Sequence, residues 1–111
     1  MDGNLALSRA FGDFQYKDSQ NKPPEDQAVT CMPDILSHKR NLSEDEFIIV
    51  ACDGIWDCKD NQGCVDFLSL KIKENTADTN MCKPLEFLLD DCCAETTDNG
   101  IGTDNMTAVL I

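Results

Sequence analysis

The sequence predicts an α+β fold in which short strands come first, two helices follow, and one more strand closes the order. Two β-rich apolar runs, FIIVAC (47–52) and MTAVLI (106–111), have the composition of strands. Between them, apolar residues recur at helical spacing over 60–75 and over 83–97. The 111 residues are enough for at most one domain with its own core, and no internal repeat is visible.

The first third of the chain is predicted to consist of short extended segments joined by loops. Apolar and small or polar residues alternate at the start of LALSRAFGD (5–13), which indicates a strand that ends in a Gly-Asp turn. Residues 17–27 are polar, contain a Pro-Pro pair and are typical of a surface loop. We expect a short strand, a proline break and a second extended piece over 28–38, followed by a turn.

The run 47–52 has no polar residue, and such a run suits a strand that is covered on both faces. A helix is predicted over 60–75, where Asp60 or Asn61 can cap the first turn. Its apolar stripe consists of Cys64, Phe67, Leu68 and Ile72. A second helix is predicted over 83–97. Its stripe consists of Leu85, Leu88, Leu89, Cys92 and Cys93, and Pro84 is tolerated in its first turn.

The charge balance restricts the possible partners. The chain has 9 basic and 21 acidic residues, which gives a formal net charge of −12. Nucleic acids and anionic membranes require a basic binding surface, so the composition argues against both and favours cations or basic partners. No signal peptide or apolar run of membrane length is present in the sequence.

Seven cysteines are present, an odd number, and none forms a CxxC pair. Neither a zinc ribbon nor a thioredoxin-like motif is therefore supported. The simplest interpretation is a set of reduced, buried thiols in a protein of the cytoplasm, the nucleus or both. Cys52 and Cys58 flank the acidic stretch CDGIWDC, where a packing role competes with oxidation or soft-metal binding.

Two aspartates lie where the two strands are expected to meet. Asp53 follows the strand 47–52, and Asp104 precedes the strand 106–111. If these strands are antiparallel neighbours, the end of one and the start of the other share one edge of the sheet, so both carboxylates converge there. Asp57 follows Asp53 by four residues and can join them through a tight turn. Clustered carboxylates repel each other unless a cation is bound, and oxygen ligands favour Mg²⁺ or Mn²⁺ over zinc.

A purely structural interpretation of these aspartates stays open, because Asp after a strand is often a turn former or a helix cap. An EF-hand calcium loop is excluded, because its twelfth residue must be an acid. Counted from Asp53 the twelfth residue is Cys64, and counted from Asp98 it is Val109. His38 is the only histidine, and the sequence around it shows no motif typical of a catalytic triad. Arg9 could contact a phosphate or form a structural ion pair. Trp56 is expected to anchor the core.

Three segments occur in a characteristic order and spacing, namely DGNLALSRAFGDFQYK (2–17), FIIVACDGIWD (47–57) and GTDNMTAVLI (102–111). Together they resemble the metal-dependent type 2C protein serine/threonine phosphatases, and the resemblance covers essentially the whole chain. It implies part of a four-layer α/β-β/α sandwich, in which two antiparallel sheets are flanked by helices. It also implies a two-metal Mg²⁺ or Mn²⁺ centre, with water attacking the phosphorus of phosphoserine or phosphothreonine in a phosphoprotein substrate.

The resemblance assigns roles by motif. Asp53 and Asp104 resemble ligands of the metal centre, and Asp57 resembles a ligand of an additional, weaker metal site. Residues 1–111 correspond to the C-terminal half of the family's domain. The DGHGG-type motif with its metal-bridging aspartate is absent, and the family's phosphate-binding arginine and candidate acid histidine belong to the absent half. The resemblance therefore supplies no catalytic residue in this chain, and His38 does not sit in the required context.

Because of these absences, we expect a fragment, a truncated gene product or a short isoform that is inactive alone and either poorly stable or self-associating. One alternative is a non-catalytic truncated or pseudo-phosphatase that serves as an interaction module through its acidic surface. Another is an unrelated acidic cation-binding protein.

Overall fold

The computed structural model describes residues 5–75 and 80–111. The first residues of the 2–17 motif therefore lie outside the described part of the chain. The elements, in chain order, are two short 3-10 helices at Phe14–Tyr16 and Pro24–Asp26, strand β1 at Ile49–Ala51, helices α1 at Asp53–Trp56, α2 at Asn61–Glu74 and α3 at Cys82–Cys92, and strand β2 at Ala108–Leu110. Within the described ranges, no helix combines the length and apolar character needed to cross a membrane.

The chain divides into two compact units, an N-terminal unit that ends at Arg40 and a C-terminal unit, Asn41–Ile111. In the N-terminal unit, the strands predicted over 5–13 and 28–38 do not form. Only an isolated parallel bridge links Arg9 to Thr30. The predicted turn at Gly12 and Asp13 is present, since these residues take left-handed φ values of 74° and 50°, and a 3-10 helix follows at once.

The predicted surface loop at 17–27 is exposed, as expected, and one side chain holds it together. The Gln27 side chain accepts a hydrogen bond from the Ser19 amide at 3.0 Å. It donates to the carbonyl oxygens of Ser19 at 2.9 Å and Lys22 at 2.8 Å. Val29, directly after this loop, is fully buried. The loop is thus closed by polar contacts rather than by a sheet.

In the C-terminal unit, β1 and β2 pair in antiparallel fashion, as the sequence predicts. Ile49 pairs with Leu110 and Ala51 with Ala108. The strands are shorter than expected, although Ile48 and Ile111 exchange two further hydrogen bonds of 2.9 Å. The expectation that both faces are covered is wrong for the described chain. Val50 and Val109 are 55% and 50% exposed on one face, whereas Ile49 and Leu110 pack against the core on the other.

Helix α2 matches its prediction closely. Asp60 is its N-cap, and the Asp60 Oδ1 atom accepts a hydrogen bond from the Gly63 amide at 2.7 Å. This bond satisfies one of the amide groups that the first turn of a helix leaves without a partner. Cys64 and Leu68 lie on the buried face.

Helix α3 ends at Cys92, five residues earlier than predicted. Cys93 turns extended and is exposed, so it does not belong to the apolar stripe. The Ala94 amide bonds to the Gly102 carbonyl at 2.9 Å, outside the helix. Gly102 has a φ of 73°, and a Cβ atom there would lie 2.2 Å from the Cys92 carbonyl oxygen. This close approach ties the end of the helix to the loop before β2 and requires a glycine.

The core of the C-terminal unit is a single cluster of buried residues, namely Ile55, Cys64, Leu68, Leu88 and Cys92. Helix α1, which the sequence predicts only as a turn, contributes Ile55. Trp56 packs against this cluster as predicted, and its indole Nε1 donates to the Ala51 carbonyl at 3.0 Å. The described residues thus form an α+β arrangement of helices on a two-stranded antiparallel sheet.

All seven cysteines are free thiols. The expectation that they are buried holds only for Cys64 and Cys92. Cys52 and Cys58 are half-buried, and Cys31, Cys82 and Cys93 are exposed.

Candidate metal site

Asp53 and Asp104 lie at the same end of the β1–β2 ladder. Strand β1 ends at Ala51, whose partner Ala108 begins β2. One further hydrogen bond, from the Cys52 amide to the Thr107 carbonyl at 3.1 Å, extends the pairing toward the aspartates. Asp53 then opens α1, and Asp104 lies in the loop before β2. The antiparallel arrangement therefore brings the two segments to one edge, as the order of the strands predicts.

The backbone after Asp53 touches the backbone after Asp104. Gly54 is buried, and a Cβ atom built there would lie 2.5 Å from the Asn105 carbonyl oxygen and 3.2 Å from Met106 Cγ. Real Cβ atoms do not approach an oxygen so closely, so only glycine permits this contact. The glycine of CDGIWD thus lets the two aspartate-bearing segments meet.

The thiol of Cys52 links the same two segments through hydrogen bonds. Cys52 Sγ lies 3.4 Å from the Asn105 carbonyl oxygen, to which it donates, and it accepts from the Thr107 amide at 3.2 Å. These contacts give Cys52 a structural role. They were not predicted from the sequence, because nothing in the spacing of the residues indicates which backbone groups a cysteine will meet.

The aspartate side chains are exposed, and their visible hydrogen bonds are local. Asp53 Oδ1 accepts from the Gly54 amide at 3.1 Å, and Asp104 Oδ1 accepts from the Asn105 amide at 2.7 Å. Asp57 is the C-cap of α1, one turn beyond Asp53, and its amide donates to the Asp53 carbonyl at 2.8 Å. Residues four apart in a helical turn lie on one side of it.

No lysine or arginine of the described chain forms an ion pair with Asp53, Asp57 or Asp104. Their charges are therefore left to solvent or to a bound cation. Carboxylate oxygens are the ligands that Mg²⁺ and Mn²⁺ prefer, so the chemistry of the donors fits such an ion. Within residues 5–75 and 80–111, however, no three His, Cys, Asp or Glu side chains are arranged to hold a metal.

The thiols behind this edge make packing contacts. Cys58 Sγ lies 3.2 Å from the Gly54 carbonyl and 3.5 Å from the Cys92 carbonyl, and it donates to both. Burial raises the pKa of the Cys92 thiol to about 11, and burial also raises the pKa of the Cys64 thiol. A thiol with a raised pKa is a poor nucleophile and a poor metal ligand at neutral pH. These contacts favour packing over soft-metal binding at this edge.

Arg9 forms an ion pair with Asp34, with 2.8 Å between Nη2 and Oδ2. Both side chains are exposed. Of the two interpretations of Arg9, the structure supports the structural ion pair.

Comparison with known proteins gives a consistent result. The family model described as protein phosphatase 2C matches residues 1–101. Protein phosphatase 2C homolog 2 of Saccharomyces cerevisiae is 48% identical over 112 residues, which cover 100% of this chain and 24% of the relative. Protein phosphatase 2C homolog 3 of Schizosaccharomyces pombe is 46% identical, covering 100% of this chain and 26% of the relative. A probable protein phosphatase 2C of Caenorhabditis elegans is 48% identical, covering 100% and 30% respectively.

The chain therefore spans between 24% and 30% of the length of these relatives. The match to the family model stops before Asp104 and β2, whereas the alignments with the relatives include them. Similarity to the relatives thus extends over both segments that meet at Gly54.

Proposed function

Because the chain belongs to the protein phosphatase 2C family, we propose that it is the C-terminal half of a metal-dependent protein serine/threonine phosphatase domain. The family and the relatives support a protein phosphatase function. The substrate in this proposal is a protein that carries phosphoserine or phosphothreonine. The complete domain is a four-layer sandwich, to which the β1–β2 ladder and its helices contribute one part.

The contact between Gly54 and Asn105 is the main observation that supports a metal site in this chain. It places two carboxylate-bearing segments against each other at one edge of the ladder, with no described basic side chain paired to either aspartate. Asp53 and Asp104 would hold Mg²⁺ or Mn²⁺, and Asp57 would serve an additional, weaker site. A divalent cation bound there would activate water and offset the charge of the phosphoryl group.

The residues of this chain then have separate tasks. Asp53 and Asp104 bind the cation, while Gly54 and Cys52 keep the two segments together. No catalytic acid and no phosphate-binding arginine is assigned here, because the resemblance places both in the N-terminal half of the family's domain. Arg9 does not replace that arginine, since it forms an ion pair with Asp34. We therefore expect the chain alone to bind a cation weakly and to have no measurable turnover. The free thiols support a reducing location, in the cytoplasm or the nucleus.

The test is a titration of the 111-residue chain with Mn²⁺, followed by amide resonances in NMR spectra. Because Mn²⁺ is paramagnetic, we expect the amides of Gly54 and Asn105 to broaden first. Asp53→Asn and Asp104→Asn should each weaken binding about tenfold, since each removes a charged ligand. The matched control is Asp90→Asn, which changes an exposed aspartate on α3. Equal broadening throughout the chain, or an equal effect of the control, would reject the site.

A non-catalytic role is the second candidate. It is supported by the finding that, within residues 5–75 and 80–111, no three His, Cys, Asp or Glu side chains are arranged to hold a metal. The two are distinguished by Mn²⁺-dependent release of phosphate from a phosphothreonine peptide. Release that is lost in Asp53→Asn would show that the chain itself is an enzyme. Mn²⁺ binding with no release, even when an N-terminal half from a relative is added, would support the non-catalytic interaction module.

A further inference from the structure

A groove of about 410 Å³ lies in the C-terminal unit, and its lining residues do not include Asp53, Asp57 or Asp104. It runs between the turn before β1, the start of β1 and one side of α2. The lining residues are Glu44, Asp45, Glu46, Phe47, Ile49, Val65, Asp66 and Ser69. We refer to it below as the 44–69 groove. None of its residues has a role in the proposed phosphatase site.

The floor of the 44–69 groove is apolar. Phe47 and Ile49 are half-buried and pack against the core cluster, so they form a fixed surface. Val65, on α2, is 39% exposed and faces solvent in part. An apolar side chain of a partner could therefore be covered here, and burial of such surface is the main source of affinity in interfaces.

The rim of the groove is acidic. Glu44, Glu46 and Asp66 are exposed, and no basic side chain of the described chain pairs with them. Asp66 accepts only a neutral hydrogen bond, from Gln62 Nε2 at 2.8 Å. Three carboxylates around an apolar floor are complementary in charge to lysine or arginine side chains.

The turn that carries Glu44, two residues before Glu46, is held in place by hydrogen bonds. The amides of Glu44 and Asp45 donate to the Asn41 carbonyl at 3.0 and 2.8 Å. In return, the Asn41 amide donates to the Asp45 carboxylate at 2.7 Å. Because the backbone is already ordered, less conformational entropy is lost when a partner binds.

We propose that the 44–69 groove binds a basic segment of a partner protein, in which one apolar side chain is flanked by lysines or arginines. The apolar side chain rests on Phe47, Ile49 and Val65, and the flanking cations face the rim. A phosphorylated segment would be repelled by the same carboxylates, so this partner site is separate from any phosphoprotein substrate site. The proposal does not depend on the phosphatase assignment.

The test uses a fluorescein-labelled peptide, KRKLKRK, and fluorescence anisotropy with the 111-residue chain. We expect Glu44→Gln/Glu46→Gln/Asp66→Asn to raise Kd about tenfold, because three charge pairs are lost. Replacing the leucine of the peptide by serine should also weaken binding about tenfold, since the apolar contact is lost. Binding should weaken as NaCl rises from about 50 to about 500 mM.

A matched control distinguishes the groove from general attraction to an acidic protein. Asp90→Asn/Glu95→Gln/Asp98→Asn removes the same number of exposed charges elsewhere in the C-terminal unit. We expect this variant to change Kd by less than about twofold. Equal effects of the two triple variants, no effect of the leucine-to-serine change, or no binding at all would each overturn the proposal. The amide resonance of Val65 should shift on binding, which reports on the site directly.

Discussion

Gly54 shows how one residue can decide whether two loops meet. Its backbone lies so close to Asn105 that a methyl group would be 2.5 Å from a carbonyl oxygen. Because the neighbouring atom belongs to the backbone, it cannot rotate away. The sequence does not reveal this contact, because the partner comes from the other side of the ladder.

We predict that Gly54→Ala destabilises the C-terminal unit by about 2 kcal/mol, since overpacking a closely packed site typically costs 1–3 kcal/mol. Urea denaturation followed by circular dichroism measures the change. Gly100→Ala is the control, because a Cβ atom there meets nothing within 4 Å and only the left-handed φ is strained. A Gly54→Ala variant as stable as the wild type would contradict the close contact.

Buried thiols give the second prediction at this scale. Burial holds the pKa of Cys92 at about 11 in the folded chain, above its ordinary value of 9.0. Between pH 9 and 11, the Cys92 thiol therefore stays protonated in the folded state but loses its proton in the unfolded state. Stability from this group is complete below pH 9 and is lost as the pH rises toward 11. We expect this part of the loss to reach about 2 kcal/mol at most.

Unfolding in urea at pH 8, 9, 10 and 11 measures this loss. The hydrogen bond with Asp91 raises the pKa of Lys59, so Lys59 acts in the same direction above its ordinary value. Cys92→Ala removes the thiol and should flatten the pH dependence between 9 and 11. A Cys92→Ala variant with the same slope as the wild type would show that the thiol does not contribute.

At the scale of elements, helices follow from the sequence more closely than strands do. Helix α2 lies where the stripe and the Asp60 cap predict it, because both signals are local in the chain. Helix α3 ends early because Gly102, ten residues beyond Cys92, binds the chain that leaves it. No local pattern reports such a contact.

Asp60→Ala is predicted to cost about 1 kcal/mol, because the first turn of α2 loses the acceptor for the Gly63 amide. The urea midpoint and the ellipticity at the helix band report the change. Asp60→Ser should restore most of the stability, since serine also caps helices well. If Asp90→Ala, on the exposed side of α3, were equally destabilising, loss of the cap could not be the cause.

The strands show the limit of the sequence patterns in another way. Antiparallel pairing of the two apolar runs is confirmed, and at one end of the ladder Gly54 and Asn105, which follow Asp53 and Asp104, lie in contact. The segments 5–13 and 28–38 are predicted to contain strands, the first from its alternation, but only one bridge joins their described residues. A strand needs a partner along its length, and alternation does not specify one. The complete ligand set and the identity of the metal are likewise beyond what these residues determine.

At the scale of the whole molecule, the surface combines a high negative charge with an exposed apolar sheet face. The chain has a net charge of −12, yet the outer face of its two-stranded ladder is apolar. Ile48 and Ile111 are 61% and 74% exposed there, next to Val50 and Val109. Both strands also have an edge without a neighbour among the described residues. Apolar faces and open edges promote association.

We therefore predict concentration-dependent self-association, measured by sedimentation velocity across a range of about 10 to 300 μM, where weak contacts appear. Val50→Thr/Val109→Thr should reduce it, because both changes keep β-branched side chains and remove apolar surface. Leu70→Gln is the control, since Leu70 is an exposed apolar residue of α2. A monomer at every concentration would contradict the prediction.

The position of Trp56 gives the molecule its own optical reporter. The only tryptophan of the chain lies between Asp53 and Asp57, and its indole is tethered to the end of β1. Its ultraviolet emission therefore comes from a single, partly shielded ring beside the proposed cation site. Quenching by Mn²⁺ and the wavelength of that emission can be followed in unlabelled protein at micromolar concentration. Ion binding and melting of the core can thus be recorded in one cuvette, without any dye.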